Sequence, residues 1–163
     1  MEGKRNSNKI GKAGEDKAVL MLREWWKDEH FMRNWIGSSG ATGTMLAGNP
    51  HAPAYLIEAL SGDVICPLNF PYSIEVKNYK DLDLYSIIRN HGNSDFHKFW
   101  KQAKHDSERI SKIPLVILLR GKERFVMFEK KKFPDMGGII FPCDGDLVGV
   151  ALWEEFTNRN PPN

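Results

Sequence analysis

The chain predicts an α/β domain: a central mixed β-sheet flanked by helices, in the order helix, three strands, helix, strand. Three observations predict it. Glu15, Val19, Leu22 and Trp26 fall at i, i+4, i+7 and i+11, the spacing of one stripe along a helix. Two short apolar runs follow, one at 64–66 and one at 72–78, each short enough for a strand. Pro114, Leu115, Val116, Ile117, Leu118 and Leu119 then form an unbroken apolar run after a second helical stretch, as a strand buried on both faces does. At 163 residues one domain is the expectation, large enough for one core.

The elements read in order as follows. Residues 1–8 form a basic arm expected to be flexible. Ile10-Gly11-Lys12-Ala13-Gly14-Glu15 opens the first helix; Gly11 and Gly14 are poor helix formers there and suggest close approach of another backbone. Glu15 interrupts an apolar stripe, which costs free energy unless it meets a cation or donors. Residues 31–36 read as a strand, and a Ser- and Gly-rich loop follows at 37–44. Such a loop can offer N–H groups and hydroxyls to phosphates, but no Gly-Lys-Ser/Thr ends it, so it is no P-loop. Residues 45–60 form a longer link with Pro50, Pro53 and a short helix at 54–60.

A helix is expected over 96–112, carrying Phe99, Ala103 and Ile110. Residues 123–129 alternate more than the preceding strand and read as an edge strand. Residues 137–142 suggest a short strand, Asp144-Gly145-Asp146 a turn, and 150–156 a short helix packing Trp153 and Phe156 on the core. Residues 158–163 should fray. Of the Trp25-Trp26 pair, Trp26 lies on the core stripe, and only Trp25 is expected to be exposed as a stacking surface for bases.

The chemistry concentrates in two places. Asp63 stands in Ser-Gly-Asp-Val-Ile-Cys, and Glu75 and Lys77 stand in Tyr-Ser-Ile-Glu-Val-Lys-Asn. Side chains alternate along a strand, so Glu75 and Lys77 share a face while Ile74 and Val76 point to the core. If the two runs pair as a hairpin, Asp63 sits beside Glu75, and two carboxylates and an ammonium meet at a sheet edge. Two carboxylates suit a hard divalent cation such as Mg²⁺, which keeps water positions open for a phosphate. The lysine can hold the attacking water and offset charge in the transition state. The plain alternative is a solvated strand face with a cross-strand ion pair, worth ~0.2–1 kcal/mol.

This pattern resembles the PD-(D/E)xK nuclease superfamily, with Gly62 in the place of the proline, and within it is most like Holliday-junction resolvases of archaeal or phage type. The resemblance covers roughly residues 8–130. It implies a restriction-endonuclease-like core (αβββαβ) and a metal-dependent endodeoxyribonuclease. It further implies that Asp63 and Glu75 hold Mg²⁺ (Mn²⁺ able to substitute), with the Val76 carbonyl as a further ligand. Gly11 and Glu15 match a Gly-x-x-x-Glu element whose glutamate joins that site directly or through water. Lys77 would position the attacking water. Ser38 or Ser39 matches a serine near the active site, and Gln102 matches a glutamine or lysine that several members place on the second helix. The implied partner is DNA, branched as a four-way junction and read by shape and phosphates, with a homodimer placing two sites about a twofold axis. Recombination and repair are the processes such an enzyme serves. A nuclease for linear duplex, flaps or nicks, and a non-catalytic DNA-binding protein, stand as alternatives, because the same core serves many substrates.

Composition sets the bounds. The formal net charge is only +2, so the distribution of charge matters more than its sum. Lys4, Arg5, Lys9 and Lys12 cluster at the N-terminus; Arg89, Lys98, Lys101, Lys104, Arg109 and Lys112 crowd the second helical region. Lys9, Lys12, Lys80, Lys98, Lys101 and Lys104, with Ser38 and Ser39, are the candidate DNA contacts, giving affinity without sequence information. Cys66 and Cys143 make neither a zinc quartet nor a disulfide framework, nor the thiolate set of an iron–sulfur nuclease. Cys66 reads as a buried thiol. The five histidines show no metal-binding spacing; His97 and His105 read as surface residues. The longest apolar run is far short of the ~20 residues of a membrane span, and the N-terminus has no apolar h-region. A cytoplasmic protein of a bacterial, archaeal or phage-infected cell is the expectation.

Overall fold

A computed structural model describes residues 2–35, 48–59, 61–89 and 92–162. Helix α1 (Glu2–Trp26) leads to strand β1 (Met32–Arg33), helix α2 (Ala54–Ala59), and strands β2 (Val64–Ile65) and β3 (Tyr72–Asn78). Helices α3 (Ser86–Arg89) and α4 (Asp95–Glu108) precede β4 (Ile113–Arg120), β5 (Glu123–Glu129), β6 (Ile139–Cys143) and β7 (Asp146–Leu152), and helix α5 (Trp153–Arg159) closes the chain. The predicted order helix, three strands, helix, strand is present, with α2 and α3 as insertions. The Ser/Gly loop, including Ser38 and Ser39, lies outside the described residues.

Five strands form one mixed sheet in the order β3-β4-β5-β7-β6. β3 and β4 run parallel, and the remaining pairs are antiparallel. Side-chain alternation along β4 explains its continuous apolar run. Leu115, Ile117 and Leu119 enter one core layer with α1 and α5, while Val116 and Leu118 enter the other beneath α4. Both faces are dry, so every residue of the run must be apolar.

Four expectations are corrected here. The runs around Asp63 and Glu75 do not form a hairpin ladder. β2 pairs instead with β1 in a separate two-stranded ribbon, Met32 opposite Ile65 and Arg33 opposite Val64. The 123–129 strand is interior rather than an edge, because β6 and β7 extend the sheet beyond it, and Phe125 through Glu129 are all buried. Residues 150–152 belong to β7, so the last helix starts only at Trp153. His97 is buried, its ring 2.7 Å from the Ser94 hydroxyl and edge-on to Phe141, and burial lowers its pKa.

The first helix differs in its rotation. It begins at Glu2 rather than Ile10, and its buried face is Gly14, Ala18, Val19, Met21, Leu22 and Trp25, so Val19 and Leu22 of the predicted stripe are buried as expected. That face is turned by about one residue from the predicted stripe. Trp25 is therefore buried and Trp26 half-buried, the reverse of expectation. The cause is tertiary. The Trp25 ring meets Phe70, Tyr72, Trp153 and Phe156, and its indole N–H donates to Asn160 O at 2.9 Å. No local periodicity outweighs an aromatic cluster, in which each buried large side chain contributes about 1.5–3 kcal/mol.

Candidate active site

The site lies at the open edge of β3, whose other edge is zipped to β4. In a strand, the backbone groups of residues i and i+2 face the same way. Ile74 O accepts the Asp63 N–H at 3.1 Å, and the Val76 N–H donates to Asp63 Oδ2 at 2.8 Å. Ile74 and Val76 thus present their backbone to the free edge, and the Val76 carbonyl faces the side on which Asp63 stands. Gly62 makes this approach possible. Its φ is +89°, and a Cβ there would lie 2.8 Å from Ile74 O. A single backbone hydrogen bond and a side-chain clasp replace the expected hairpin. Asn34, just beyond β1, completes the hold: its N–H donates to Asp63 O at 3.0 Å and its side-chain amide to Gly62 O at 3.0 Å.

Glu75 and Lys77 share a face, as alternation requires. Lys77 Nζ lies 2.6 Å from Glu75 Oε1, 3.0 Å from Gln102 Oε1 on α4, and 5.4 Å from the centre of the Phe99 ring. The structure therefore joins Lys77 and Gln102, which the sequence linked only through the resemblance. Asp63 and Glu75 are buried, 6% and 4% exposed, so their charge is not screened by water. Burial raises the Asp63 pKa against the opposing Val76 N–H and Lys77. Burial, together with the Asp63 charge, pushes Glu75 up to about 7 even with the lysine at its side. The Lys77 pKa is raised by Glu75 and Asp63, which outweigh its own desolvation.

Glu15 enters from α1, half-buried; burial first and the Asp63 charge second raise its pKa. Of the two glycines before it, Gly14 makes the close approach, where a Cβ would lie 2.6 Å from Asn78 Cβ, while Gly11 faces open space. Asn78 Nδ2 donates to Ile10 O at 2.9 Å and ties the helix to the end of β3.

Two residues near the site escaped the sequence reading. Asp106 lies one turn past Gln102 on α4, and its charge raises the pKa of both Asp63 and Glu75. The i, i+4 spacing from Gln102 was the available signal. Arg33 opposes Glu15 electrostatically and pairs with Asp16 at 3.3 Å.

The basic candidates separate. Lys9, Lys12, Lys80 and Lys101 are exposed. Lys98 is exposed but pairs with Asp95 at 3.0 Å. Lys104 is tied away from the site, 2.8 Å from Asp146 and donating to Asp144 O at 2.9 Å. Arg109 pairs with Asp106, and Lys112 with Glu58 at 2.7 Å.

Among the described residues, no three Asp, Glu, His or Cys side chains stand close enough to hold an ion by themselves. One oxygen of Asp63 accepts a backbone N–H and one of Glu75 meets Lys77. The donor set nevertheless fits a divalent cation. Two buried carboxylates keep raised proton affinity even with Lys77 beside them, and a backbone carbonyl faces the same edge.

An α/β sheet whose edge strand carries Glu-x-Lys, with an aspartate clasped to that edge, defines the restriction-endonuclease-like class. Residues 6–135 match the family described as "Phage putative PDDEXK endonuclease", and the chain belongs to that family. No curated protein and no solved structure matches. The match spans α1 to β5; β6, β7 and α5 lie outside it. No helix among the described residues is long and apolar enough to cross a membrane.

Proposed function

We propose that this chain is a divalent-metal-dependent DNA endonuclease that cuts four-way junctions as a homodimer, with Asp63, Glu75 and Lys77 as its catalytic set. The observation that carries the reading is the buried Asp63–Glu75 pair of raised pKa at an open sheet edge, with Lys77 suspended between Glu75 and Gln102. Family membership supports phosphodiester hydrolysis. The likeness of Gly11, Glu15 and the Ser38-Ser39 loop to Holliday-junction resolvases supports the substrate.

Asp63, Glu75 and the Val76 carbonyl would hold Mg²⁺ or Mn²⁺, with Glu15 joining directly or through water. The ion supplies Lewis-acid polarisation of the phosphate and a water of lowered pKa. The residues do the rest. Val76 N–H and Gly62 fix the Asp63 carboxylate before substrate arrives, so little reorganisation is needed in the transition state. With Glu75 committed to a cation, Lys77 would lose its anionic partner and keep Gln102. Gln102 holds the ammonium within the site, where it can hold the attacking water and offset charge developing on the phosphate. Lys9, Lys12, Lys80, Lys98 and Lys101 contact backbone phosphates, and their contribution falls steeply with salt.

The test is cleavage of a labelled four-way junction beside linear duplex of the same sequence, in Mg²⁺ and in EDTA, with Asp63→Asn as control. Paired symmetric nicks on the junction, lost in EDTA and reduced ~10²-fold or more in Asp63→Asn, are expected. Equal cutting of duplex would keep the chemistry and overturn the junction. Tight binding with no cutting of either substrate would overturn the enzyme.

A further inference from the structure

Beside the catalytic lysine is a cleft whose chemistry the hydrolysis does not use. Tyr79 follows β3, and its N–H donates to Leu119 O at 3.0 Å, so strand geometry continues past Asn78. Being two residues beyond Lys77, Tyr79 lies about 6.6 Å further along the same face, a displacement on the scale of one nucleotide. Its ring stacks on Phe99, centroids 5.4 Å apart and planes at 24°, while its outer face is exposed. Phe99 is the ring over which Lys77 sits. The aromatic surface is thus continuous with the catalytic set.

The cleft that opens at Tyr79 encloses about 330 Å³ and is lined by Phe96 and Phe99 of α4, by Asp81, Asp83 and Asn93, and by the Asp95–Lys98 pair. It is anchored to the sheet. Arg120 of β4 donates to Leu82 O at 2.7 Å, and the Tyr85 N–H donates to Asp83 Oδ1 at 3.0 Å. The size is that of a small-molecule pocket. Asp83 is paired with Arg89 and Asp95 with Lys98, so Asp81 is the carboxylate placed to accept a hydrogen bond from an exocyclic amino group of the kind adenine and cytosine carry and thymine lacks. Aromatic walls with an acceptor beside them suit a base taken out of its stack.

We propose that this cleft receives an unpaired nucleobase of the strand being cut, about one nucleotide from the scissile phosphate, with Tyr79 as its stacking surface. The inference rests on the endonuclease reading above and narrows its substrate. The strand must be able to splay a base beside the cut, as branch points and flaps do and regular duplex does not. Adenine or cytosine at that position is favoured over thymine.

The experiment uses the full chain carrying Asp63→Asn, bound to branched DNA in which 2-aminopurine is walked one position at a time through the branch point. One position is expected to change its fluorescence on binding. Tyr79→Ala in the same background should abolish that change and weaken binding about 10-fold to 100-fold, as loss of one base–aromatic stack does. Tyr79→Phe should retain both, which assigns the effect to the ring, and an unchanged melting temperature of Tyr79→Ala excludes a folding defect. Fluorescence unchanged at every position, or Tyr79→Ala indistinguishable from its parent, would overturn the inference. The wild-type chain with Mg²⁺ separates the two readings. Cutting without any 2-aminopurine response leaves the nuclease and removes the base pocket. A response that requires Tyr79, with no cutting by wild type, leaves the pocket and removes the nuclease.

Discussion

The site at the sheet edge and the aromatic core layer bury their side chains for opposite ends. At the β3 edge, Asp63 and Glu75 are buried with their pKa values raised, so each ionised carboxylate costs free energy where it stands. In the core layer under α1 and α5, Trp25, Phe128, Phe133, Trp153 and Phe156 pack as an aromatic cluster, with Phe133 and Phe156 centroids 4.9 Å apart, and the Trp25 indole N–H reaches a carbonyl. The first region opposes stability and the second supplies it. The lesson is a division of labour: a site of this kind can hold buried, only partly compensated charge because packing elsewhere outweighs it.

The sharpest way to break the comparison is to change one residue in each region. Phe156→Ala should lower stability by about 3–5 kcal/mol while leaving the rate per folded molecule unchanged at low temperature. Asp63→Asn should reduce the rate ~10²-fold or more while leaving thermal stability equal or higher, because it removes an anion that burial disfavours. Chemical denaturation and single-turnover cleavage read the two effects separately. A destabilised Asp63→Asn chain would show that the carboxylate's clasp on Val76 N–H outweighs its desolvation.

Lys77→Met breaks the site from within. It strands Glu75 without its cation, and loss of one partner of a buried pair costs about 3–5 kcal/mol. Glu75 can escape part of that cost by holding a proton. The loss measured by denaturation should therefore be larger at pH 8 than at pH 5. The pair Lys77→Met, Glu75→Gln should recover most of it. If the double variant is no more stable than the single one, the lysine's contact with Phe99 matters more than its charge.

The pH dependence of the wild type sharpens the comparison further. Between its ordinary value near 4.5 and about 7, folded Glu75 holds a proton that the unfolded chain has released. Stability from this group is present below that window and is lost as pH rises through about 7. Melting temperature should decline across the window in EDTA, and Glu75→Gln should flatten the decline. Saturating Mg²⁺ should flatten it as well, since a cation on the carboxylates replaces the proton. A slope that survives Glu75→Gln would assign it to another group.

How much of this was legible follows from which interactions are local. The shared face of Glu75 and Lys77 needs only strand alternation and was readable, whereas Gln102 on α4 was singled out only through the family resemblance. The β3–β4 core run was readable because burial on two faces leaves an unbroken apolar signature. The route by which Asp63 reaches Glu75 was not, because a strand pattern does not name its partner: β2 pairs with β1, and Asp63 is joined to β3 by a side-chain clasp. The interior position of β5 was hidden because β6 and β7 lie later in the chain, outside the matched family segment. Rotation of α1 was decided by aromatic partners as distant in sequence as Trp153 and Phe156.

The smallest effect is also the cleanest, because it compares two glycines three residues apart on α1. A Cβ at Gly11 meets nothing within 4 Å, whereas a Cβ at Gly14 would lie 2.6 Å from Asn78 Cβ. Gly11→Ala should therefore stabilise the chain by about 0.5–1 kcal/mol through helix propensity and a less disordered unfolded state, with cleavage unchanged. Gly14→Ala gains the same propensity but pushes α1 off the end of β3, breaks the Asn78–Ile10 hydrogen bond and moves Glu15. Its net effect on stability should be negative, and cleavage should fall with it. Equal behaviour of the two variants would mean that the first helix tolerates displacement, and Glu15 would then have no fixed place at the site.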